Sequence, residues 1–84
     1  METQQANEWM MDVLYKWDPL GYGEGFYETE AVDVVQAVHE LDSDEKLARK
    51  IQAIYEHSFE KWIAMDECLK KSKELLHIKS QSGC

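Results

Sequence analysis

Eighty-four residues make one domain close to the lower size at which a single core suffices, burying roughly 60 to 65% of the unfolded chain's surface. A hydrophobic content of 44% argues for folding over disorder, and no apolar run approaches the roughly 20 residues of a membrane span. The net charge of −8 leaves no broad basic surface for phosphate, so nucleic acid is not an expected partner.

The first predicted helix covers residues 4–17. Ala6, Trp9, Met10, Val13, Leu14 and Trp17 recur at threes and fours and define its core stripe. Asp18-Pro19 ends it, because a residue before proline leaves helical dihedrals and proline has no N–H to donate. The segment from Trp17 to Glu28 then holds the single proline, three of the four glycines and four of the nine aromatics. It is a loop over 18–28 in which Trp17, Leu20 and one or two of Tyr22, Phe26 and Tyr27 fold back to lid a small core.

A second helix is predicted over 29–41, with Glu28, Glu30 and Asp33 suited to its positive end and Ala31, Val34, Val35, Val38 and Leu41 as its buried face. Asp42-Ser43-Asp44-Glu45 reads as a turn and helix start, with Asp42 as cap and Glu45 three residues on. From there no Gly or Pro interrupts the chain until Gly83. The stripe Leu47, Ile51, Ile54, Ser58, Trp62, Met65, Leu69, Ser72, Leu76 stays in phase, widened by Phe59 and Ile63. Glu45–Arg49, Asp66–Lys70 and Glu67–Lys71 are favourable i, i+4 pairs. Residues 44–77 are therefore expected as one long helix of about 50 Å, straight or kinked near His57–Phe59, or as a helix pair, with a polar tail over 79–84. The expected fold is all-α: a small bundle in which two short N-terminal helices, each about 20 Å, pack on the C-terminal helix or helix pair.

Charge is divided along this frame. Residues 1–45 carry 12 acids and one base, Lys16, a net of −11; residues 46–84 carry five acids and eight bases, a net of +3. Intramolecular pairing accounts for part of this. The sharper implication is that the acidic half meets a basic protein partner, or the basic half of a second copy in a homodimer. Met-Glu-Thr-Gln-Gln lacks signal-peptide character, so the expected location is the cytoplasm, without membrane attachment. Cys68 reads as a small core residue and Cys84 as an exposed thiol; the spacing supports neither zinc nor a disulfide framework.

Catalytic chemistry has little support. Gly21-Tyr22-Gly23-Glu24-Gly25 follows no strand, is followed by no nearby cation and is flanked by Asp18 and Glu28, so it is not a phosphate loop. The same acids lack the spacing of a calcium loop. His39, His57 and His77 lie off the core stripes, and Ser58 and Ser72 read as packing residues bonded to the preceding turn. No catalytic residue, metal site or cofactor is expected.

Trp17-Asp18-Pro19, Phe26-Tyr27-Glu28, the run from Ile51 to Phe59 and Cys68-Leu69 together resemble the YugE-like family, small helical proteins of Bacillus-type bacteria without an assigned function. The resemblance spans roughly residues 8 to 78 and implies an all-α cytoplasmic bacterial protein, with no catalytic residue, cofactor or partner to carry over. The expected function is a non-enzymatic protein-interaction module, regulatory or of the immunity or antidote kind by analogy. Its candidate surface is Tyr15, Asp18, Tyr22, Glu24, Phe26, Tyr27 and Glu28. The alternative is a structural homo-oligomer driven by charge asymmetry and an uncovered length of the third helix; an enzyme or small-ligand binder ranks third.

Overall fold

A computed structural model describes residues 3–23 and 26–81. Four helices of similar length follow one another: α1 (Thr3–Lys16), α2 (Glu28–Glu40), α3 (Asp44–Phe59) and α4 (Met65–Gln81). Each packs against its neighbours in the order α1, α2, α3, α4 and back to α1, and α2 meets α4 across the middle. The chain runs up and down within extents of 37 × 24 × 16 Å. The expected all-α bundle is therefore present, with the C-terminal half as a helix pair and no long helix for two short ones to rest on.

The break at residues 60–64 is the main departure from the sequence pattern. Glu60 adopts a left-handed conformation (φ 57°), and its N–H closes the last turn of α3 onto the Glu56 carbonyl at 2.7 Å. A left-handed residue with a side chain costs about 1–2 kcal/mol. The gain is larger: a straight helix would leave half its stripe without a cover, whereas folding back buries Ile63, Cys68, Leu75 and Ile78 in the common core. Gln52 Nε2 donates to the Ile63 carbonyl at 2.7 Å and satisfies the connection. α4 then starts on the Ala64 carbonyl, which accepts from the N–H groups of Glu67 and Cys68 at 3.1 Å.

This reversal changes which residues are inside. Ser58 and Trp62, placed on the core stripe by spacing, are exposed, Trp62 by 68%. Tyr55 takes the inner position on α3 with Leu47, Ala48 and Ile51. On α4 the buried set is Cys68, Ser72, Leu75 and Ile78, shifted around the helix from the expected Met65, Leu69 and Leu76, which are half-buried. Trp9, expected in the core of α1, is also largely exposed. Ala6, Met10 and Leu14 are fully buried, as are Ala31, Val34 and Val38 of α2.

The caps differ too. Ser43, not Asp42, caps α3, its Oγ accepting from the Lys46 N–H at 3.3 Å. Asp42 instead accepts from Lys79 Nζ at 2.9 Å, and the same ammonium donates to the Val38 carbonyl, tying the end of α4 to the end of α2. Residues 79–81, expected in a polar tail, thus continue α4. Ser72 Oγ donates to the Asp44 carbonyl across the α3–α4 interface at 2.7 Å, rather than to its own helix. Lys70 and Lys71 pair at i, i+3 with Glu67 and Glu74, not at the expected i, i+4 spacing. Asn7 Oδ1 and His39 Nε2, 2.6 Å apart, fix α1 and α2 antiparallel. Among the described residues no helix is long and apolar enough to cross a membrane.

Candidate functional site

The loop after α1 and the turn after α3 meet at one pole of the bundle. Trp17 closes the last turn of α1 by donating to the carbonyls of Val13 and Leu14. Asp18 then acts as a staple. Its carboxylate accepts from the N–H of Tyr22 at 2.9 Å, from the N–H of Gly23 at 3.0 Å and from the Tyr27 hydroxyl at 2.5 Å. The Tyr27 hydroxyl in turn accepts from the N–H groups of Leu20 and Tyr22, both at 3.3 Å. Such a tight loop needs left-handed backbone at Gly21 (φ 79°) and Gly23 (φ 110°), which only glycine adopts cheaply. The Tyr27 hydroxyl, with help from the N–H groups of Gly23, Tyr22 and Gly21, holds the Asp18 carboxyl below the ordinary carboxylate range. Burial, and then Asp18, pushes the Tyr27 phenol up.

Tyr27 is 1% exposed and starts a continuous stack of rings. It lies 5.5 Å from Tyr55 and 5.4 Å from Phe59, centroid to centroid, while Tyr55 meets Trp17 edge-on at 5.3 Å. Phe59 carries the stack outward to Tyr22 at 5.4 Å and Phe26 at 5.7 Å, which touch each other at 5.1 Å. The Lys61 ammonium sits 5.0 Å over the Tyr22 ring. Phe26 is 57% exposed and Tyr22 also faces solvent; Trp62 follows Lys61 on the same turn. The expected lid is thus half lid and half surface, with Trp17, Leu20 and Tyr27 turned inward and Tyr22 and Phe26 outward.

The other candidate positions separate. Asp18 is exposed but committed to the loop's own N–H groups, and Tyr27 is inside. Glu28 is exposed at the start of α2. Tyr15 lies on the outer face of α1, and no ring contact joins it to the stack among the described residues. Glu24 and Cys84 lie outside the described residues. Tyr55 and Lys61 join this pole without having been singled out by the sequence pattern, and Trp62 is exposed next to Lys61 with no ring contact to the stack among the described residues. The 51, 55, 59 spacing was a usable signal for Tyr55; nothing local announced that Trp62 would leave the core.

Little here supports bond-making chemistry. The Cys68 thiol is buried, and burial followed by the charges of Asp66 and Glu67 pushes it up to about 11. It is therefore a poor nucleophile at neutral pH. Between α1 and α4 an open groove of about 350 Å³ gathers Asp12, Lys16, Lys71 and Glu74. Their charges are matched within each helix, Asp12 with Lys16 at 3.3 Å and Lys71 with Glu74 at 3.0 Å. Among the described residues no group of three or more His, Cys, Asp or Glu side chains is placed to hold a metal ion.

Fold and pole together define a small four-helix bundle with a carboxylate-stapled aromatic loop. The chain belongs to the family described as domain of unknown function DUF1871, which it matches over residues 9–84. It is 48% identical over 84 residues to the uncharacterized protein YugE of Bacillus subtilis (strain 168), covering 100% of this chain and 98% of that protein. A crystal structure from Bacillus stearothermophilus superposes with a TM-score of 0.89 at 40% identity, covering 93% of this chain and 96% of that one. These findings agree with the YugE-like resemblance carried by Trp17-Asp18-Pro19 and its companion stretches.

Proposed function

We propose that this protein is a non-enzymatic interaction module that binds another protein through its aromatic pole. The observation that carries the reading is that Tyr22 and Phe26 stay exposed while the Tyr22 N–H is held by Asp18 and the Tyr27 hydroxyl, the Phe26 N–H donates to the Gly23 carbonyl, and both rings rest on Phe59. Exposed rings on a braced loop lose little freedom on binding, which is how aromatic anchors contribute most to affinity. Glu28, Glu60 and Lys61 at its edge give a rim of both signs, and the net charge of −8 favours a basic partner in the cytoplasm.

The homo-oligomer alternative drew on charge asymmetry and on an uncovered length of long helix; with α4 folded back on α3 the second ground falls away and the charge asymmetry is what supports it. The test is affinity capture from the native cell with the wild-type chain and with a Tyr22→Ala, Phe26→Ala, Trp62→Ala variant, after circular dichroism has shown equal helicity. A stoichiometric partner retained by the wild type and lost by the variant is the expected result. Equal retention by both would remove the pole from the reading.

A further inference from the structure

A second surface lies on the outer face of α1, outside the ring stack of the pole, edged by Asn7 where it bonds His39 of α2 and by Asp12 at the rim of the α1–α4 groove. A shallow depression of about 420 Å³ runs along it between two i, i+4 ridges, Asn7–Met11–Tyr15 and Gln4–Glu8–Asp12. Grooves between such ridges are the shape into which a crossing helix sets its own ridge. One ridge is apolar at Met11 and Tyr15, the latter 47% exposed. The Asn7–His39 bond sets the antiparallel register of α1 on α2, which brings Val32, 53% exposed, level with Leu14 and Tyr15 and widens the apolar strip. The other ridge is acidic. Across α1 and α2 the one Lys or Arg is Lys16, already 3.3 Å from Asp12; Asp33 and Glu40 of α2 turn instead to the α3 side beside Lys50, so the acids of this face are Glu8 and Asp12.

We propose that this face docks an amphipathic helix of a partner protein, with an apolar ridge flanked by Lys or Arg. Shape selects a helix, Met11, Tyr15 and Val32 select its apolar ridge, and the acids select its flanking charge. A second copy of this chain fits poorly. None of the large hydrophobics exposed among the described residues lies on α3 or α4, so those helices present no apolar ridge, and α1 against α1 would oppose acid to acid.

The probe is a synthetic helical peptide of about five turns, leucines on one face and lysines beside them, with a second version carrying glutamate in place of every lysine. Titrated into the full ¹⁵N-labelled chain, the lysine peptide is expected to shift amides of residues 7–15 and Val32 with a dissociation constant of micromolar order. Glu8→Gln with Asp12→Asn, surface changes that leave the fold intact by circular dichroism, should weaken it about tenfold, and the glutamate peptide should not bind. Equal binding of both peptides, no binding of either, or dimerisation of the chain by light scattering would overturn the proposal. Shifts confined to Tyr22 and Phe26 would also overturn it while leaving the pole reading standing.

Discussion

Replacing Tyr55 by phenylalanine removes one oxygen from the centre of the bundle, and the structure gives that change an unusual sign. The Tyr55 side chain is completely buried and its hydroxyl has no hydrogen-bond partner among the described residues. Burial, and then the negative charge of Glu30, pushes the phenol up, so it stays a neutral hydroxyl throughout the working pH range. A buried hydroxyl without a partner costs about 1–3 kcal/mol in proteins. Its removal forfeits a handful of dispersion contacts, each about 0.1–0.2 kcal/mol. Tyr55→Phe is therefore expected to stabilise the fold by about 1 kcal/mol. With an unfolding entropy of about 2.1 cal/mol/K per residue over 84 residues, that raises Tm by about 6 °C. The control is Tyr27→Phe, 5.5 Å away and equally buried, whose hydroxyl donates to Asp18 and accepts from Leu20 and Tyr22. That change should destabilise by about 1–2 kcal/mol. Urea unfolding followed by circular dichroism, with thermal melts alongside, reads both. Destabilisation by Tyr55→Phe of about 1 kcal/mol or more would mean the hydroxyl is bonded after all and would refute the reasoning.

Three other outcomes are expected. Because Asp18 is held below the ordinary carboxylate range, its contribution is present above that range and is lost as pH falls through the lowered folded value; Asp18→Asn should reduce stability at pH 7, and the gap to wild type should close below about pH 4 in urea titrations. Glu60→Gly should raise stability by about 0.5–1 kcal/mol in thermal melts, because glycine takes the left-handed position at the end of α3 without strain. Lys79→Met should cost about 1–2 kcal/mol and speed amide exchange at Leu41, since its ammonium joins Asp42 and the Val38 carbonyl at the far pole.

Much of the frame was legible from local signals. Ala6, Met10 and Leu14, and Ala31, Val34 and Val38, lie inside where their spacing put them, because a helix's apolar stripe is a property of its own sequence. Asp18-Pro19 ended α1 for a backbone reason that needs no neighbour. The aromatic loop was recognisable as a lid by composition, though not which rings would face out: Tyr27 went in and Phe26 out because Asp18 accepts the Tyr27 hydroxyl.

The α3–α4 reversal was decided elsewhere. Nothing between Phe59 and Met65 breaks a helix by propensity, and the apolar phase runs through it, so sequence reasoning put Ser58 and Trp62 in the core. Only the presence of α1 and α2, each about 20 Å long, makes a folded-back α4 bury more than a straight helix would. Tyr55 was moved inward and Trp62 outward by the same event, and Met11, Tyr15 and Val32 came into register only when α1 lay antiparallel on α2. The sequence by itself determined helix content, the first turn of chain and the residues able to staple it. Tertiary packing decided where the second half folds and which aromatic and apolar side chains reach the surface, because burial is shared between helices and no one helix encodes its partners.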